Sequence, residues 1–117
     1  MVEPQDPDSA GKRWDLRVLA EDRADWPWFR PGIRIKVLWE RDGETVALLA
    51  YDPGAAAPWH EHAGEEEIMV LEGFQEDAQG NYGPGSYIVN KAGSKHTVSS
   101  PGGCLVWIHW RQPVRFL

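Results

Sequence analysis

GAAAPWHEHAGEEEIMVLEG, residues 54 to 73, decides how this chain is read. Its plan is Gly54, five residues, His60, one residue, His62, three residues, Glu66, six residues, Gly73. Side chains at i and i+2 of a strand share a face. His60 and His62 therefore reach one ion from one wall. Gly64 allows a turn, and the chain returns with Glu66 at the head of an apolar strand. The chain has four histidines, and two of them are here. A third, His96, stands in a second stretch of similar plan, GSYIVNKAGSKHTVSS, residues 85 to 100. Two His and a carboxylate close together, with a distant third His, form the donor set of a divalent metal site.

The rest of the composition narrows the frame. A chain of 117 residues with 42% apolar content suits one domain with a core of its own. Seven tryptophans make that core partly aromatic. A formal charge of −6 argues against nucleic-acid binding, which needs a basic footprint. No apolar run is long enough to span a bilayer. The N-terminal MVEPQDPDSAGKRW lacks the apolar core of a secretory signal. Cys104, alone, forms no internal disulfide. A cytoplasmic place is the expectation.

Around the opening stretch the pattern is that of strands. Residues 1 to 32 read as a leader and edge segment. Within it, residues 1 to 12 are frayed, WDLRVLA (14 to 20) is an edge strand, and the Trp26 to Gly32 run is irregular, covering a barrel end or a dimer contact. From Ile33, apolar Ile35, Val37 and Trp39 alternate with Arg34, Lys36 and Glu40. Asp42-Gly43 signals a hairpin, and TVALLAY (45 to 51) is its return strand. EEIMVLEG is apolar on both faces, as in a strand inside a sandwich or under a subunit contact. FQEDAQGNYGP (74 to 84) suits a hairpin, SYIVN a strand, and TVSSPGG a turn. CLVWIHWRQ ends the pattern. Cys104, Val106, Ile108 and Trp110 lie on one face, and Leu105, Trp107, His109 and Arg111 on the other. No helix of period 3.6 stands out. Many short strands punctuated by Gly and Pro read as an all-β sandwich or barrel, here over 33 to 112 with a tail at 113 to 117.

G-x5-H-x-H-x3-E-x6-G resembles the first motif of the cupin superfamily, and residues 54 to 73 match every fixed position. The second motif matches at Gly85, Gly93 and His96. Lys91 stands where the family has Pro, and Ser100 where it has Asn. The run is also similar to the ChrR-type cupin domain: Gly64, Glu66 and Glu67 after the His pair, VLEGF at 70 to 74, GSY at 85 to 87, Gly93-Ser94-Lys95-His96, and Gly103-Cys104. The resemblance implies a cupin jelly roll whose sheets close into a small barrel. It also implies one metal ion held by His60, His62, Glu66 and His96. Spacing favours Glu66, although the family tolerates a further residue, which selects Glu67. The ChrR cupin half binds zinc and is joined to an anti-sigma half with its own His and Cys ligands. The one Cys and four His here all fall in the barrel, so sigma-factor sequestration by this chain alone is not expected.

The ligand set supports two functions. Four protein ligands saturate tetrahedral zinc. On iron, manganese or nickel they leave two positions open for a small ketone or diketone and dioxygen, as in similar stand-alone dioxygenases. The first reading is a metal-binding cupin with a sensor or small-molecule-binding role, zinc being the expected metal. The alternative is a metal-dependent dioxygenase. A homodimer is expected, with no nucleic-acid or membrane partner. Cys104 reads as a small buried residue, and His109 as pointing away from the lumen. Trp59 and Trp107 read as packing residues, and Tyr87 and Asn90 as pocket candidates.

Overall fold

The computed structural model describes residues 11–117. Of the frayed leader expected at residues 1 to 12, residues 1–10 lie outside the described residues. Among the described residues, eleven strands form two antiparallel sheets. β1 (Trp28–Arg30), β2 (Ile33–Arg41), β3 (Glu44–Tyr51), β10 (Cys104–Trp110), β5 (Glu66–Gly73) and β8 (Tyr87–Asn90) make the first, in that order. β11 (Val114–Phe116), β4 (Ala55–His62), β9 (Lys95–Ser100), β6 (Gln75–Asp77) and β7 (Gly80–Tyr82) make the second. The fold is the expected cupin jelly roll, with one difference. The sheets face each other across the core, and no strand pairing joins them into a closed barrel among the described residues.

The core follows from strand parity. On β10, Cys104, Val106, Ile108 and Trp110 all face inward, between the sheets. They meet Ile33, Leu49, Ile68 and Val70 from the same sheet, and Ala57 and Val98 from the other. The hairpin at 42–43 takes its two-residue form because Asp42 (φ 53°) and Gly43 (φ 84°) both adopt the left-handed conformation. The 74–84 segment is the expected hairpin, β6–β7.

Three local expectations are corrected. WDLRVLA is not an edge strand. It forms one helical turn, α1 (Leu16–Leu19), running into a 3-10 segment at Ala20–Asp25. The Asp15 carboxylate caps it by accepting from the Arg17 and Val18 amides at 3.0 and 3.4 Å. A helical turn also places Leu16, Leu19 and Ala20 on one side. They pack there with Trp26, Leu48 and Leu105 on the outer face of the first sheet. Capping and this docking outweigh a rough alternation. Second, TVSS is not a turn but the end of β9, and the chain turns only after Ser100. Third, β5 is not buried on both faces within one chain. Leu71 packs under the helical segment, while Met69 is 40% exposed. The 26–32 run is also more regular than its two prolines suggest. Trp28–Arg30 pairs with β2 at the sheet edge, where Pro is tolerated.

Residues 113–117 contain β11, which pairs with β4 and sets Phe116 opposite His60. No helix among the described residues is long and apolar enough to cross a membrane.

Gly73 carries the chain from one sheet to the other. Its φ is +68°, and a Cβ there would lie 2.1 Å from the Gly103 carbonyl oxygen. Backbone cannot yield as a flexible side chain does. Gly73→Ala is expected to destabilise the fold by about 3 kcal/mol. Urea denaturation checks this, and an unchanged midpoint would refute it.

Candidate metal centre

His60 and His62 reach the interior through a bulge that the sequence pattern does not announce. Ala57 faces the core and pairs with Val98, whereas His60 pairs with His96. Pro58 and Trp59 thus stand opposite Thr97 alone. The extra residue reverses parity, turning His60 and His62 inward and leaving Trp59 half exposed. Trp59 is therefore not the packing residue expected. Its neighbour Pro58 has no amide hydrogen to leave unsatisfied in the bulge.

The structure brings His60, His62 and His96 together. Their donor atoms lie within 4.8 Å of one another. The ring centroids are 5.0, 4.7 and 4.8 Å apart. Each ring is fixed at Nδ1. His60 Nδ1 lies 2.7 Å from the Pro58 carbonyl. His62 Nδ1 lies 2.9 Å from Ser94 Oγ. Ser94 donates its own proton to the Lys91 carbonyl at 2.6 Å, so its oxygen accepts from His62. His96 Nδ1 lies 3.0 Å from the Asp77 carboxylate. Acceptors on all three Nδ1 atoms place the protons there and leave three Nε2 lone pairs free. Metal-ligating histidines are oriented in this way. His62 Nε2 is buried with no hydrogen-bond partner, a costly state unless something occupies it. Burial lowers the His60 pKa, against the Pro58 carbonyl and with help from His96 and His62, so that imidazole stays neutral.

Glu66 is buried beside this group. Its Oε2 accepts from Trp110 Nε1 at 2.6 Å and its Oε1 from Asn90 Nδ2 at 2.9 Å. Oε1 also lies 3.3 Å from His62 Nε2. Burial raises the Glu66 pKa, but His62 and the Asn90 and Trp110 donors outweigh it, and the carboxyl titrates below its ordinary range. Glu67, the other carboxylate that spacing allows, faces the opposite way. It accepts from the Tyr87 hydroxyl at 2.7 Å and approaches His109 at 3.4 Å.

The remaining candidates separate cleanly. Asn90 touches Glu66, whereas Tyr87 is 57% exposed and binds only Glu67. His109 lies on the outer face, 2.9 Å from Glu44, and Trp107 packs with the helical segment. Cys104 is buried, which pushes its thiol up to about 11. The departure at Lys91 is harmless because the corner closes through that residue's backbone carbonyl, which accepts from Ser94 N and Oγ. Ser100 ties β9 to the Phe74 carbonyl, away from the histidines. Sequence reading missed Asp77 and Trp110 as partners of the site. Asp77 reaches His96 only because the β6–β7 hairpin folds over it, propped by the Tyr82 hydroxyl at 2.8 Å.

Two spaces adjoin the histidines. An outer bay of about 290 Å³ touches His62, His96 and Asn90, with Trp59 and Lys95 at its rim. An interior cavity of about 20 Å³ touches His60, Glu66 and His96. A separate cleft of about 520 Å³ includes Arg23 and Glu72 and reaches no histidine.

A family model described as the ChrR cupin-like domain matches residues 16–114. Among solved structures, an acetylacetone dioxygenase from Acinetobacter johnsonii is 18% identical. It aligns over 100% of this chain and 85% of its own, with a TM-score of 0.78. The anti-sigma factor ChrR in complex with SigE, from Rhodobacter sphaeroides, is represented at 20% identity, 87% and 70% coverage, and a TM-score of 0.66. A Ralstonia eutropha protein of unknown function with a cupin-like fold is 22% identical over 73% of this chain, with a TM-score of 0.67. This chain spans 59% of that protein's length. At such identities the likeness is one of fold. No curated protein sequence matches. With the family match running over most of its length, the chain belongs to the ChrR cupin-like domain family.

Proposed function

We propose that this domain binds one divalent metal ion through Nε2 of His60, His62 and His96, with Glu66 as a fourth, carboxylate ligand, and serves as a small-molecule-binding or sensor module. The observation that carries this reading is the set of three Nδ1 anchors, which leaves three converging Nε2 atoms, one of them buried and unpartnered. The residues fit such an ion chemically: three neutral imidazoles and one carboxylate leave it with a net charge of about +1. Zinc suits four protein donors. The bound ion would supply Lewis acidity, and iron, manganese or nickel would also offer open positions. The chain's own residues do the orienting. Asp77, Ser94 and the Pro58 carbonyl hold the rings, while Trp110 and Asn90 hold Glu66 ionised.

A second reading, a dioxygenase acting on a small ketone or diketone, is supported by the full-length likeness to an acetylacetone dioxygenase fold. The small interior cavity speaks for the first reading. Homodimer formation belongs to the same proposal. Met69 and Tyr87 pair across β5 and β8 and are both exposed, as is Val89 two residues on.

Elemental analysis of protein purified without chelating resin and without oxygen tests the centre. About one zinc per chain is the expected result. Iron, manganese or nickel at that level would move the assignment to the dioxygenase, checked by oxygen uptake with small diketones. Absence of metal, with none taken up on titration, would refute both.

A further inference from the structure

β8 ends the first sheet, and among the described residues no strand pairs with its outer side. A free strand edge recruits another chain unless charge, Pro or a bulge blunts it. The Ser86 carbonyl accepts from the Val70 amide, so residue 86 bonds toward β5. Bonding direction alternates along an antiparallel strand, which turns the N–H and C=O of Tyr87 and Val89 to the free side. The side chains of these two residues, with Met69 across from Tyr87, form an exposed apolar strip on the outer face. Lys91, which stands where the second motif has Pro, continues that face one residue past the strand. It is exposed and makes no ion pair with any described residue. Glu67 lies across from Val89 and accepts from the Tyr87 hydroxyl at 2.7 Å. That hydroxyl, and less strongly His109 and Arg111, hold the Glu67 carboxyl below its ordinary range against partial burial. The strip thus carries an anion at Tyr87 and an unpaired cation at Lys91.

We propose that β8 pairs antiparallel with β8 of a second copy of this chain, about a two-fold axis at Val89, so that the two first sheets become one. Both copies then use the same surface, as a two-fold contact requires. Centring on Val89 sets edge-facing residues against each other, which lets them hydrogen-bond. It also sets Lys91 of the second copy opposite Tyr87, about 5.5 Å away between Cα atoms. The ammonium then lies beside the Tyr87 ring and the Glu67 carboxylate bonded to it, and the axis repeats the contact. Centring one residue earlier, on Ile88, would set Lys91 opposite Gly85, which has no side chain to meet it. The inference rests on the homodimer reading above, to which it gives a surface and a register, and it does not involve the metal.

The test uses the full chain. Sedimentation equilibrium of the unsubstituted protein is expected to give twice the chain mass. Val89→Cys is expected to form a disulfide-linked dimer on mild oxidation, because Cα atoms paired across the axis fall within disulfide range. Met69→Cys, one strand further from the axis, is not. Cys104 is buried and does not compete. Lys91→Glu, which sets a carboxylate against Glu67, is expected to weaken the dimer about tenfold. All three substituted residues are exposed, so the fold tolerates the changes. A monomer at every concentration would overturn the homodimer reading and this inference together. A dimer that Val89→Cys does not link and Lys91→Glu does not weaken would overturn this inference alone. Linkage with no effect of Lys91→Glu would overturn the charge contact. Weakening without linkage, or linkage through Met69→Cys, would overturn the register at Val89.

Discussion

His62→Ala is expected to abolish stoichiometric metal binding and with it the stabilisation that metal confers. His62 Nε2 is buried and unpartnered, and it lies 3.3 Å from Glu66 Oε1, a separation that two donors on one ion would show. Removing it takes away one donor and leaves an anionic carboxylate facing a void. Free metal at a thousandfold excess over its dissociation constant stabilises a fold by about 4 kcal/mol. For a domain of this size that raises the melting temperature by roughly 15 °C. The unsubstituted protein should show a rise of this order on metal addition, and His62→Ala a rise below about 3 °C. Calorimetry with and without metal decides it. A variant that keeps both its metal and its thermal shift would remove His62 from the ligand set.

Asp77→Asn is expected to weaken metal binding by about 10- to 100-fold, the usual cost of altering a group that orients a ligating histidine. Asp77 lies 3.0 Å from His96 Nδ1 and also accepts from the Gln79 amide and the Tyr82 hydroxyl, each at 2.8 Å. Burial pushes its carboxyl pKa up, but the Tyr82 and Gln79 donors and His96 outweigh this, and the net shift is downward. The carboxylate stays charged and holds the His96 proton on Nδ1, leaving Nε2 free. Asn at this position keeps one acceptor oxygen for the hairpin but loses the charge. Fold stability without metal should therefore change little while the metal dissociation constant rises. Competition with a chromophoric chelator measures that constant. An unchanged value would show that His96 either does not bind metal or is oriented by something else.

These two residues differ in how far the sequence announces them. His60, His62, Glu66 and His96 were legible because a strand's period of two and two glycine-framed motifs mark them. Asp77 was not, since it sits in a hairpin nineteen residues before its partner, and its neighbour Glu76 is equivalent by composition. Spacing favoured Glu66 but also allowed Glu67, and the two separate in space only once β5 is paired. Only then does one turn toward the histidines and the other toward Tyr87 and His109. Leu16 to Leu19 was misread because docking of its apolar side on Leu48 and Leu105 is decided by neighbours distant in the chain, and the local Asp15 cap was outweighed in the reading by a rough alternation.

The sequence by itself determined the all-β class, most strand positions, the 42–43 and 74–84 hairpins, and which three histidines come together. Those features rest on local periodicity and on residues with few conformational choices. Only the tertiary structure decided the β4 bulge that turns His60 and His62 inward, the inward turn of Glu66 against the outward turn of Glu67, the anchoring of each imidazole, and the narrow cavity between the sheets. All four depend on register between strands and on what a side chain meets across the core, and neither is encoded in the spacing of one stretch.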